Sequence, residues 1–313
     1  MLSLRKLTRT PRRCLAGLFA SGAVGFLNTL GDAPAYHLAR LLGTGMYYLS
    51  FSDRRVIPQN LERIFHTTMP EAQRRQLARK ICRNLAVSAM EAARLRRKSP
   101  EDIRAMADDN GFEDNVRTSF QRNRSIMIVT AHYGNWELFA ARVALMGPLT
   151  VLARKNSNPR IERVIQNIRD RNHVRVIDRS DSNAPREMIR MGRDGGHILG
   201  ILMDQDTTRI QGIFSDFMGH TALTPIGPAS IGMRGLFDIY IGILRPLAPY
   251  HHRMCIHGPI DIPDADHRST GIETLTGLFN QHLSRLILEK PEYWVWNHRR
   301  WRHQPPVARE GIS

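Results

Sequence analysis

The run Ser125 to Ala131, S-I-M-I-V-T-A, constrains the fold more than any other stretch of this 313-residue chain. It is short, uncharged and rich in β-branched side chains, the pattern of a strand covered by protein on both faces. Strands of that kind belong to parallel sheets, whose crossover connections lay helices over each face. The pattern recurs along the chain: strands expected near 125–131, 149–153, 174–177, 197–202 and 238–244 alternate with helices near 136–146, 158–172, 182–193 and 225–234. This alternation predicts an α/β fold with a mostly parallel central sheet wrapped by helices. Helices over about 71–97 and 112–122 precede the alternation. A strand near 253–257 and a helix over about 270–289, stopped before Pro291, follow it. No internal repeat or low-complexity tract interrupts the pattern.

His132 stands directly after the buried strand, Gly134 and Asn135 supply a turn, and Glu137 opens the next helix. A strand-to-helix corner at the carboxyl end of a parallel strand is where open α/β sheets place ligands. The spacing His-x4-acid is not by itself informative, because it occurs three times, as His66/Glu71, His132/Glu137 and His173/Asp178. Pro70 interrupts the first pair. The third runs along one expected strand, where an odd separation sends the side chains to opposite faces. Only the middle pair has a turn that can fold an acid back onto the imidazole, which makes His132 and Glu137 the candidate catalytic residues. A neutral imidazole takes a proton from a hydroxyl, and a carboxylate on its other nitrogen fixes the tautomer. No G-x-S-x-G elbow is present, and Cys14, Cys82 and Cys255 lack nucleophile-like neighbourhoods. The residues alone therefore predict a general base acting on water or on a substrate alcohol.

The longer pattern A-H-Y-G-N-W-E-L resembles the first motif of the glycerolipid and lysophospholipid acyltransferase superfamily, and in wording it is closest to the late acyltransferases of lipid A biosynthesis. The likeness continues in order. R-R-V-I-P-Q-N-L from Arg54 and Glu91 in S-A-M-E-A-A-R come before the motif, and R-K-N-S-N-P from Arg154 and I-R-D-R-N with Arg169 and Arg171 come after it. M-D-Q-D at 203–206, G-I-F-S-D-F-M-G at 212–219, T-P-I-G-P-A at 224–229 and P-E-Y-W-V-W-N-H-R-R-W-R from Pro291 complete the series. The resemblance implies a membrane-associated acyltransferase with His132 as general base and Glu137 as its orienting partner. An acyl thioester on acyl carrier protein would be the donor and a hydroxyl of a lipid A precursor the acceptor. Arg154, Arg169, Arg171, Asp204 and Asn135 become the candidate substrate-binding residues. Backbone N–H groups near Gly134, or an arginine such as Arg154, would hold the oxyanion. No metal or organic cofactor is implied, since the thioester is already activated. Asp204 and Asp206 are too few to define a metal site, and the resemblance gives Asp204 the floor of the site or an arginine network instead.

The formal charge of +16 comes from 45 basic residues, of which only five are lysine. Guanidinium pairs with phosphate oxygens in bidentate fashion. That suits a phosphorylated disaccharide lipid and an anionic bilayer surface, although arginines on solvated faces read the same way. No nucleic-acid-binding signature accompanies the charge. The three scattered cysteines suit reduced thiols at a cytosolic face.

Residues 1–31 read as a basic lead and an apolar segment, Cys14 to Gly31, of borderline length for a bilayer crossing. A spanning anchor, an interfacial helix and a cleaved signal peptide all fit it. The following A-P-A-Y-H-L-A-R-L-L-G-T-G-M-Y-Y-L resembles the family's amphipathic entry helix, which favours retention and attachment to the cytoplasmic face of the inner membrane. Residues 32–302 are then the acyltransferase domain and 303–313 a flexible tail. Three further expectations follow. The span from Asp204 to Leu223 reads as a long functional loop. Phe214, Phe217 and Met218 suit either an acyl channel or core packing, and Thr224-Pro225 looks like the start of a helix. The tail aromatics Tyr293, Trp294, Trp296 and Trp301, with Arg299, Arg300 and Arg302, suit either a bilayer interface or the core. Acylation of another glycolipid or phospholipid from acyl-CoA is the alternative chemistry, and a basic protein that binds anionic lipid without catalysis is the alternative class.

Overall fold

The computed structural model describes residues 29–207 and 212–305. Helices α1 (Asp32–Leu49), α2 (Phe51–Phe65), α3 (Glu71–Arg94) and α4 (Pro100–Met106) lead into strand β1 (Ala107–Asp108) and helix α5 (Phe112–Gln121). The alternating part follows as β2 (Ser125–Thr130), α6 (Trp136–Ala144), β3 (Leu149–Ala153), α7 (Pro159–Arg171), β4 (Arg175–Asp178), α8 (Ala184–Asp194) and β5 (Ile198–Leu202). A hairpin of β6 (Gly212–Phe217) and β7 (His220–Pro225), helix α9 (Gly227–Gly232), strands β8 (Phe237–Ala248) and β9 (His251–His257), and helix α10 (Arg268–Glu289) complete the chain.

Seven strands form one sheet in the order β1-β9-β8-β2-β5-β3-β4. Every pairing is parallel except β8 with β9. The expected mostly parallel sheet wrapped by helices is what forms. Strand β2 lies near the middle, and all six of its residues are buried. Its alternate side chains feed two cores. Met127 and Val129 join Leu199, Ile201, Ile239 and Ile241 under α8 and α10 on one face. Ile126 and Ile128 join Phe112, Val116, Leu138 and Phe139 under α5 and α6 on the other. Each large aliphatic side chain buried in this way contributes about 1.5–3 kcal/mol. The central strand is thereby fixed in register and depth, and its carboxyl end becomes a rigid mount.

Two expectations change, and the open reading of the tail is decided. Residues 212–225 are a two-stranded antiparallel hairpin, not loop, with Phe217 opposite His220 at its tip. Thr224 and Pro225 end β7 instead of opening a helix, and α9 begins at Gly227 with Pro228 in its first turn. Thr224 faces the core, where its hydroxyl accepts bonds from Asn280 Nδ2 (2.9 Å) and Arg300 Nη2 (2.6 Å). The tail tryptophans are core residues. Trp294 and Trp296 meet edge to face at 4.8 Å, and buried Arg300 lies 4.7 Å above the Phe217 ring. Phe217 and Met218 are buried in the same core, and Phe214 is exposed.

The basic lead and nearly all of the apolar segment before α1 lie outside the described residues, as does most of the 303–313 tail. Among the described residues, no helix is long and apolar enough to cross a membrane.

Candidate active site

His132 sits just past the carboxyl end of β2. Its ring Nδ1 lies 2.8 Å from Asp204 Oδ1, and its backbone N–H donates to Asp204 Oδ2 at 2.9 Å. Asp204 itself follows β5, the parallel neighbour of β2, and is buried. The indole Nε1–H of Trp294 donates to Asp204 Oδ2 at 2.7 Å. Burial alone would push the Asp204 carboxyl up. The imidazole charge and the bonds from His132 and Trp294 outweigh it and hold the carboxyl below its ordinary range. A carboxylate kept ionised against one ring nitrogen leaves the other free to act as a base.

The tail builds this arrangement. Gly134 N–H donates to Tyr293 O (2.9 Å) and Val295 N–H to His132 O (3.1 Å), so the tail runs as an antiparallel partner along the turn. That pairing brings the Trp294 indole onto Asp204. Gly134 has φ +54, and a Cβ there would stand 2.9 Å from Leu244 O, so only glycine fits the corner.

The carboxylate on the imidazole is therefore that of Asp204, not Glu137. Glu137, in the first turn of α6, accepts two bonds from Arg169, Nε to Oε2 at 3.0 Å and Nη2 to Oε1 at 2.7 Å. This fork locks the guanidinium that α7 delivers to the cavity wall. The physical reason lies in the turn: residues 134–135 start a helix whose first turn points Glu137 toward α7, whereas the strand beside β2 ends level with His132.

Asn135 is also placed differently from expectation. It is buried, its Oδ1 accepts from Leu138 N–H (3.0 Å) as the N-cap of α6, and it does not line the cavity. Its Nδ2 lies 3.5 Å from Glu91 Oε2, and the Glu91 carboxylate is 3.1 Å from His252 Nε2. Arg171 is exposed on the last turn of α7 and is not a cavity-lining residue. Asp206, one residue past Gln205, accepts from Arg302 (3.2 Å) and is 2.8 Å from His303 Nδ1. Neither aspartate is thus placed as an open metal ligand, and among the described residues no group of acidic, His and Cys side chains could hold a metal ion.

A cavity of about 520 Å³ opens at His132. Trp136 packs edge-on against the imidazole at 5.2 Å. Leu152, Met188, Ile201, Leu202 and Ile226 give the cavity an apolar wall, and Arg154, Arg169 and Arg179 line it with positive charge. The size lies in the range of small-molecule and lipid pockets. Arg179 was not singled out from sequence; it follows β4, three strands along the sheet from β2, and nothing in its local sequence distinguishes it. Burial and the neighbouring Arg154 charge depress its pKa, against a smaller opposing pull from the Asp178 carboxylate. The N–H groups of His132, Tyr133 and Gly134 are all taken within the protein.

The residues from 4 to 303 match the family model described as bacterial lipid A biosynthesis acyltransferase. The chain belongs to that family. It is 23% identical over 276 residues to the lipid A biosynthesis palmitoleoyltransferase of Escherichia coli K12, spanning 86% of this chain and 87% of that one. It is 24% identical over 287 residues to the lipid A biosynthesis lauroyltransferase of the same organism, spanning 90% of each. The lipid A biosynthesis acyltransferase of Shigella flexneri is 23% identical over 276 residues. The family member described here is an acyltransferase.

Proposed function

We propose that this acyltransferase moves a fatty acyl chain from an acyl thioester on acyl carrier protein to a hydroxyl of a lipid A precursor. His132 is the general base, and Asp204 orients it. The observation that carries this reading is the His132–Asp204 contact at the mouth of a cavity with one apolar and one cationic wall. The base takes the hydroxyl proton as the oxygen attacks the thioester carbonyl. The same imidazole, then protonated, delivers that proton to the departing thiolate. Since the N–H groups of His132, Tyr133 and Gly134 are engaged, the oxyanion is assigned to the guanidinium groups of the cavity, with Arg154 the leading donor. Glu137 acts through Arg169, holding it in one rotamer beside the reacting centre. No metal or organic cofactor enters the scheme.

Membrane attachment is part of the reading. Of the large apolar side chains exposed on the described surface, Leu41, Leu42, Tyr48 and Leu49 all lie on α1, directly after the apolar segment of residues 14–31. An exposed apolar cluster continuous with such a segment suits the cytoplasmic face of the inner membrane, where the donor is available. Residues 32–302 then form the catalytic domain.

Two measurements test the proposal. Mass spectrometry of lipid A from cells with and without the gene should show a loss equal to one acyl group; identical spectra would remove the acceptor assignment. His132→Ala should lower transfer by about 10²–10⁴-fold while lipid binding persists. Full turnover by that variant would remove the base assignment.

A further inference from the structure

A second and larger cavity, about 1030 Å³, lies between α2 and the tail. Its lining carries Arg55, Arg63, His66, His220, Arg299 and Arg302. The one acidic side chain in the lining, Glu62, is paired with Arg74. Arg302 is bonded to Asp206, but Arg55, Arg63 and Arg299 are exposed and have no carboxylate partner among the described residues. Trp301, buried in the wall of this groove, has an indole N–H without a hydrogen-bond acceptor. Asn60 Nδ2 donates to the carbonyls of Trp296 and His298, both at 2.8 Å, which ties the helix side of the groove to its tail side. The groove is therefore a concavity dominated by cationic donors, in which the one lining carboxylate among the described residues is already paired.

One chain segment links the groove to the catalytic cavity. Gln205 lines the catalytic cavity, and the next residue, Asp206, is held by Arg302 of the groove. We propose that the groove binds a phosphate monoester on the sugar headgroup of the acceptor lipid, anchoring the acceptor while its hydroxyl reaches His132. Guanidinium groups recognise the phosphate in bidentate fashion, and a concave site suits a compact anionic headgroup. An acidic carrier protein would instead need a broad, flat basic face of about 800 Å². The inference rests on the acceptor being a phosphorylated glycolipid and is independent of which residue orients His132.

The test uses the full chain, a phosphorylated disaccharide acceptor lipid in mixed detergent micelles, and the same lipid after phosphatase treatment. Arg63→Gln combined with Arg299→Gln should raise the acceptor KM about tenfold, with kcat and the donor KM unchanged. The penalty should vanish with the dephosphorylated lipid, and Arg55→Gln should reproduce it in part. An unchanged acceptor KM, or an equal penalty on both lipids, would overturn the proposal. A raised donor KM would assign the groove to the carrier protein, and lost binding to phosphatidylglycerol vesicles with acceptor KM intact would assign it to the bilayer; either result overturns it. A parent enzyme that turns over neither lipid would remove the glycolipid reading and this inference with it.

Discussion

His132 and Asp204 occupy equivalent places on neighbouring strands. Thr130 and Leu202 are register partners in the parallel pair β2–β5, and each functional residue follows its strand end by two positions. Met203 N–H donates to Thr130 O at 3.2 Å, extending the pairing to the point where the side chains meet. The geometry of the base thus depends on sheet register and on the tail tryptophan that caps the carboxylate from behind.

Trp294→Phe keeps a ring in the core and deletes one donor to a buried carboxylate. The expected cost is about 1–3 kcal/mol, read by thermal or denaturant unfolding. The parent Asp204 carboxyl is held low in the fold, so its contribution to stability is present above the ordinary value of 3.8 and fades as pH falls through the lower folded value. Losing the indole donor raises that folded value. The acid limb of the stability curve should therefore move to higher pH in Trp294→Phe, and an unmoved limb would show that the indole bond contributes nothing.

Glu137 and Arg169 form a shielded two-bond fork, and removing either charge strands the other. Glu137→Gln or Arg169→Gln alone should destabilise by about 3–5 kcal/mol. The double variant should recover much of that loss, giving a large coupling energy in the cycle. Activity should fall in all three, because the guanidinium on the cavity wall is lost or released. Additive stability losses would contradict the pairing.

Much of the fold was legible in the sequence because period and punctuation are local properties. Ser125–Thr130 announced a buried strand through its apolar, β-branched run, and α7 forms within the helix expected over 158–172. His132 was legible for the same reason, since strand, turn and helix are contiguous. Its carboxylate partner was not. The turn after the strand singled out Glu137, which the helix points toward Arg169, whereas Asp204, 72 residues from His132 in the chain, becomes a neighbour only through the pairing of β2 with β5. The tail tryptophans were ambiguous because aromatic and basic residues mix equally well at a bilayer or over a core; the burial of Trp294, Trp296 and Trp301, with the bridge from Trp294 to Tyr133, decides it. The 212–225 hairpin escaped because its Gly, Ser and Asp residues weaken the strand signal.

Gly134→Ala forces a side chain into a positive-φ corner and against Leu244 O. The substitution should cost more than about 1 kcal/mol of stability. It should also displace His132 from Asp204, so that kcat falls while the acceptor KM changes little. A variant with the parent melting temperature and the parent rate would remove the claim that this corner positions the base.

The most direct measurement is the single-turnover acyl-transfer rate of Asp204→Asn, with donor and acceptor saturating and folding checked by thermal melting. An amide of the same shape can no longer stabilise the imidazolium or fix its tautomer. The rate should fall by about 10²–10⁴-fold. A folded Asp204→Asn enzyme that transfers acyl groups at the parent rate would contradict the account.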